Sequence, residues 1–309
     1  MAEVATSASS SANSSARSDQ LLVVVDPVAR RADGESVRIA KDVLSAGASS
    51  TKVCLPDGPE EFARALRRRG SRRPVVVGDD RALLRAVALL HRHRELAACG
   101  LSVVPVGPVL GLTRSLGLPS GAVAAARAVL DGAERRLDLL VDDSDGVVLG
   151  AVGIPPVGGD QDEGAFADPD DDAAPGGSRP ASAPARPWLR TCQSLVRTLA
   201  SSRPVRAAAA PGAAGPSRLR VEVDGVTLVD LDQPVEGVSV VPGAGGVAEV
   251  EVRPPAWGAE VSPLTARGRT VTVSGAHFRY RADAVVSGPV RTRTWVVREG
   301  AWGLTLPAG

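Results

Sequence analysis

The sequence predicts an α/β protein with an N-terminal doubly wound parallel sheet and a C-terminal β-sandwich. Three observations carry this reading. Short continuous apolar runs, such as Leu21–Val25 (LLVVV) and Pro74–Val77, suit strands covered on both faces. Segments with apolar residues at helical spacing alternate with these runs, the pattern of a parallel sheet. From Leu219 onward the apolar period becomes two, in short stretches between Gly/Pro turns, which is the pattern of a sandwich.

Leu21–Val25 is the first strand, and Asp26-Pro27 ends it. Val37–Leu44 follows as a helix with Val37, Ala40, Val43 and Leu44 on one face. Thr51–Leu55 is the second strand and Glu60–Arg69 the next helix, through Phe62, Ala65 and Leu66. Pro74–Val77 is a third buried strand, followed by Gly78, Asp79, Asp80 and Arg81 and then a helix over Ala82–Leu96. His91 and His93 lie two apart on it and face different ways, so they are read as surface residues. Leu101–Pro105 is the fourth strand and Ala122–Leu130 a helix; Leu137–Val141 and Val147–Val152 read as a hairpin. Residues 158–187 carry seven acidic residues and a Pro/Ser/Ala run with little to bury, the composition of a disordered loop. A helix over Trp188–Leu199 leads into the alternating strands. The expected organisation is therefore a tail (1–20), an α/β domain (21–157), the acidic loop (158–187) and a β-rich domain (188–309).

The formal charge is only +1, which argues against a nucleic-acid footprint. The three cysteines are far apart with no C-x-x-C pair, so neither a zinc site nor a disulfide framework is indicated, and a cytoplasmic setting is expected. The Ser/Ala-rich start lacks the apolar core of a signal peptide. No apolar run approaches the roughly 20 residues that span a bilayer. Arg64–Arg73 holds six arginines, read first as a solvated helix end and second as an anion or membrane-surface patch.

The stretch Val103–Pro119 (VVPVGPVLGLTRSLGLP) passes from a strand through Gly107 into a helix start, a place where backbone amides can meet a phosphate. Its frame, from Pro105, Val106 and Gly107 to Arg114-Ser115-Leu116-Gly117-Leu118-Pro119, resembles the second signature of the diacylglycerol kinase catalytic-domain family. The resemblance extends over about Leu21–Pro307 apart from the acidic loop, including Arg220–Gly225 (RVEVDG). It implies an ATP- and Mg2+-dependent lipid kinase with a lipid partner. Setting aside the seven acidic residues of the loop leaves the rest of the chain at about +8, a balance that suits an anionic membrane surface at the inner membrane face. Phosphoryl transfer needs a polyphosphate cradle, a metal and a base. The resemblance places the cradle at Val77–Arg81, where Gly78 and Asp79 match the family's Gly-Gly-Asp-Gly-Thr. Val77, Asp80 and Arg81 depart from it, and Pro108, Leu110 and Gly111 replace the second signature's polar residues. At the family's base motif, Asp283 matches and Val285 stands where the glutamate belongs. Gly78, Asp79, Gly107, Arg81 and Arg114 are thus the candidate nucleotide contacts, and Asp283 the candidate catalytic residue. Arg81 and Arg114 are read as an anion site replacing the lost donors. No other nucleotide or hydrolase motif is present, and His277 is read as a half-buried structural residue. Two functions are compatible with these residues: a pseudokinase or much-weakened kinase that keeps a lipid or nucleotide cleft, or an active lipid kinase.

Overall fold

The computed structural model describes residues 20–155, 216–255 and 262–308. The first nineteen residues, the acidic loop and the predicted Trp188–Leu199 helix lie outside them. The N-terminal half alternates strand and helix: β1 (Gln20–Val25), α1 (Pro27–Ala32), α2 (Gly34–Gly47), β2 (Ser50–Cys54), α3 (Pro59–Arg67), β3 (Arg73–Gly78), α4 (Asp80–Arg92), β4 (Gly100–Pro105), α5 (Gly111–Ser115) and α6 (Ala122–Asp131). The strands form a parallel sheet in the order β2-β1-β3-β4.

The period-two geometry of the strands sends alternate valines to opposite faces. Leu21, Val23, Val25, Val75 and Val77 pack on Val37, Ala40 and Leu44 of α2 and on Ala125 and Val129 of α6. Leu22, Val24 and Val76 pack on Phe62 and Leu66 of α3 and on Leu83, Ala86 and Val87 of α4. Helices on both faces make the sheet doubly wound. Each of these side chains is essentially fully buried, which stabilises the fold by roughly 1.5–3 kcal/mol for a Val, Leu or Phe. Arginines at the end of α3 (Arg64 and Arg67) sit at the negative end of its dipole.

The rest is strand-rich: β5 (Ala133–Asp142), β6 (Val147–Val148), β7 (Val152–Ile154), β8 (Ser217–Val223), β9 (Val226–Val229), β10 (Pro234–Val235), β11 (Gly237–Pro242), β12 (Ala248–Arg253), β13 (Leu264–Gly268), β14 (Thr270–Ala282) and β15 (Val285–Leu306). Antiparallel pairs set the register: Val238 opposite Val252, Val240 opposite Val250, Val221 opposite Val273. These valines meet in one core with Trp295 and Tyr280, whose rings stand edge to face at 5.3 Å.

Three readings of the sequence are corrected. Val147–Val152 is not one strand: β6 pairs with β5, β7 pairs with β11 and β14, and Leu149–Ala151 between them turn their amides to Asp283. The stretches around Val290–Val296 and Trp302–Leu306 are one long strand, β15, with an irregularity between Arg298 and Trp302. Its last residues run parallel beside β4, Leu304 opposite Leu101, and so extend the N-terminal sheet. His277 is exposed rather than half-buried.

Candidate functional site

The candidate residues collect where β3 and β4 end. Asp79 leaves β3 in an extended conformation and caps α4: its Oδ1 accepts the Arg81 and Ala82 amides at 3.1 and 3.2 Å. A carboxylate here suits the positive end of the helix dipole. The Asp80 amide donates to the Val109 carbonyl and the Leu83 amide to the Asp79 carbonyl. Amides of the first turn of α4 at positions 80 to 83 are therefore already bonded within the protein.

Gly78 and Gly107 lie side by side, the Val106 amide donating to the Gly78 carbonyl at 3.0 Å. A Cβ on Gly78 would stand 2.5 Å from Cβ of Ala82 and 3.1 Å from Cβ of Asp26. At Gly107, φ is +137°, and a Cβ would stand 2.9 Å from Cβ of Asp79. Both glycines are required by the approach of the protein's own atoms. No ligand is needed to explain them.

Asp80 is buried, 3% exposed, and points at the second helix start. Its two oxygens accept the Leu112 amide at 2.8 Å and the Thr113 amide at 2.9 Å, capping α5 from 32 residues away. Leu110, at the N-cap position itself, has no side chain able to do this. A third carboxylate acts alike. Asp283 sits in the turn between β14 and β15 with φ +50°. Its Oδ2 accepts from Leu149 and its Oδ1 from Gly150 and Ala151, at 2.7 to 3.0 Å. A Cβ on Gly150 would meet both Asp283 and Leu112, so the turn, the Leu149–Ala151 loop and α5 are closely packed.

Asp79 is 2% exposed, and its Oδ2 has no hydrogen-bond partner among the described residues. Burial raises its pKa above the ordinary carboxylate value, the neighbouring Asp26 adds to the rise, and the amides of Ala82 and Arg81 oppose it. Burial likewise pushes the Asp283 carboxyl up, against the pull of its three amides. Asp26 is also buried, but its oxygens are both matched: Oδ1 accepts the Val28 amide, and Oδ2 meets Arg85 Nη1 at 2.6 Å. Arg85 in turn lies over the Phe62 ring at 5.5 Å.

Gly78, Asp79 and Gly107 are thus brought together. Arg81 and Arg114 are exposed on α4 and α5, and no hydrogen bond or ion pair joins them. Val285 is 58% exposed at the start of β15, two residues beyond Asp283. Sequence reasoning missed two residues. Asp80 looks like a misplaced charge in the sequence, but it is a long-range helix cap. Asp26 looks like a strand terminator, but its buried carboxylate holds an ion pair with the half-buried Arg85.

The architecture now has counterparts. This chain matches a solved structure described as "a putative diacylglycerol kinase from Bacillus anthracis str. Sterne", with a TM-score of 0.64 and 12% identity over 93% of this chain and 97% of that one. The fold is shared with structures described as diacylglycerol kinases. A second structure so described, from the same organism, gives 0.64 and 12% over 93% and 96%, and a third 0.62 and 11% over 93% and 97%. No protein-family model matches this chain, and no curated protein sequence does. Among the described residues no helix is long and apolar enough to cross a membrane, and no three His, Cys, Asp or Glu side chains group to hold a metal.

Proposed function

We propose that this protein is a pseudokinase or much-weakened kinase: a diacylglycerol-kinase-like chain whose cleft serves a lipid or an anionic membrane surface rather than phosphate transfer from a nucleotide. One observation carries the reading. The backbone amides at the start of α4, at the start of α5 and at Leu149–Ala151 are occupied by Asp79, Asp80 and Asp283. Backbone amides at helix starts and nests are what a polyphosphate would use. Here each set already holds a fixed anion, so an incoming phosphate would have to displace a carboxylate and meet its negative charge. Mg-ATP does not fit these residues as they stand. Val285 adds to the case, because valine cannot accept the proton of an acceptor hydroxyl, a step worth roughly 10²–10⁴ in rate.

An active ATP-dependent lipid kinase is the second reading, and Asp79 favours it. Of the three carboxylates, it alone leaves one oxygen uncommitted, buried beside Asp26. Among the described residues that oxygen is buried and without a hydrogen-bond partner, the feature that a bound cation would satisfy.

Radiolabelled phosphate transfer from Mg-ATP to a panel of membrane lipids tests the proposal. No transfer above background is expected from the wild type. Lipid phosphorylation that disappears in Asp79→Ala, with the melting temperature retained, would establish the kinase instead. Equilibrium dialysis with Mg-ATP, wild type against Arg81→Ala, asks separately whether Arg81 holds an anion. Equal binding in the two removes Arg81 from the site.

A further inference from the structure

The sheet ends at β2, so the outer side of its backbone has no strand partner among the described residues. Between β2 and α3 runs a groove of about 320 Å3, lined by Lys52, Cys54, Leu55, Glu61, Arg64 and Arg68 among others. Arg64 and Arg68 are four apart on α3 and its C-terminal cap and project to the same side. Lys52 faces them from the strand. Lys52, Arg64 and Arg68 have no acidic partner among the described residues. Glu61 is the acidic residue of the lining, and its Oε2 already accepts the Asp57 amide at 3.1 Å. The floor is apolar, with Leu55 47% exposed and Cys54 half-buried. Gly78, Asp79 and Gly107 are not among the lining residues, so the groove is chemically independent of the cleft at the ends of β3 and β4.

We propose that this groove receives an extended phosphorylated segment of a partner protein, laid along β2 as an added strand with its phosphate among Lys52, Arg64 and Arg68. An open strand edge supplies main-chain hydrogen bonds to an extended peptide, and flanking pockets select its side chains. Three unmatched cations suit a dianionic phosphate with several acceptor oxygens better than a single carboxylate. The unpaired backbone along the outer side of β2 favours an extended peptide over a bilayer, which has no main-chain groups to pair with it.

Fluorescence anisotropy with pooled, labelled random octapeptides carrying one central phosphoserine tests this on the full chain. Saturable binding is expected. It should weaken at least tenfold for the same pool with serine, for a pool with N-methylated backbone, and for the Arg64→Glu/Arg68→Glu variant. Alkylation of Cys54, followed by peptide mapping, gives a second readout in the wild type: the phosphoserine pool should slow it. The proposal fails if the wild type shows no saturable binding, or if the double variant binds equally well. It also fails if Cys54 is not protected, or if phosphatidylglycerol vesicles bind through Arg64 and Arg68 while the peptides do not.

Discussion

Replacing Asp80 by alanine removes the side chain that caps α5 and leaves everything else at the helix start in place. The loss can be worked from the geometry. Two amides, Leu112 and Thr113, lose acceptors at 2.8 and 2.9 Å, and the Thr113 bond is buried. A buried donor left without a partner costs about 1–3 kcal/mol, and removal of a capping carboxylate costs about 0.5–2 kcal/mol by itself. Water reaches the Leu112 side in part, so a loss of roughly 2–4 kcal/mol is expected. For a domain of this size that lowers Tm by about 4–16 °C. The assay is thermal unfolding followed by circular dichroism, without and with 50 mM inorganic phosphate. If the carboxylate stands where an anion can be held, phosphate should restore part of the variant's stability. With a Kd of about 10 mM the gain would be about 1 kcal/mol, and the wild type should gain much less because its own carboxylate fills the place. A variant melting within 1 °C of the wild type would refute the capping argument. Equal phosphate effects on both proteins would refute the idea that Asp80 occupies an anion position.

Asp79→Asn keeps an oxygen for the Arg81 and Ala82 amides but cannot ionise. The wild-type pKa is raised in the folded state, so folding favours the protonated form, and that stability is lost as pH rises from the ordinary carboxylate value through the raised one. Urea unfolding should therefore show the variant gaining on the wild type as pH rises above the ordinary carboxylate value, and a gap moving the other way contradicts the assignment. Gly107→Ala puts a Cβ 2.9 Å from Cβ of Asp79 at φ +137° and should cost about 1–3 kcal/mol by chemical denaturation. Trp302→Ala, at 1% exposure, should cost about 3–5 kcal/mol and lower the unfolding midpoint accordingly.

The parallel sheet and its helices are legible in the sequence because their signals are local. LLVVV at β1 and the valines of β3 are short, rich in β-branched residues and bounded by Pro, Gly and Asp, which marks strands with both faces covered, and the helical spacing of Phe62, Ala65 and Leu66 orients α3 directly. Period two marks the C-terminal strands for the same reason, although the continuity of β15 across Arg298–Trp302 is hidden by Glu299-Gly300, which read as a turn. The site is less legible because its decisive contacts are distant in sequence. Asp80 acts on Leu112 and Thr113, and Asp283 on Leu149–Ala151, more than a hundred residues away. No local pattern announces such a pairing. Gly78 and Gly107 illustrate the same limit: as letters they suggest room for phosphate, and in space that room is filled by Asp26, Asp79 and Ala82.

The closing strand has a consequence for biosynthesis. Leu304 settles against Leu101 roughly 200 residues after it in the chain, and translation at about 5–20 residues per second puts some 10–40 s between them. Throughout that interval one flank of β4 waits at the ribosome with its peptide groups uncovered. A nascent fragment lacking residues 303–306 would present that flank to any other extended chain nearby, so holdase chaperones should bind it far more than the finished polypeptide.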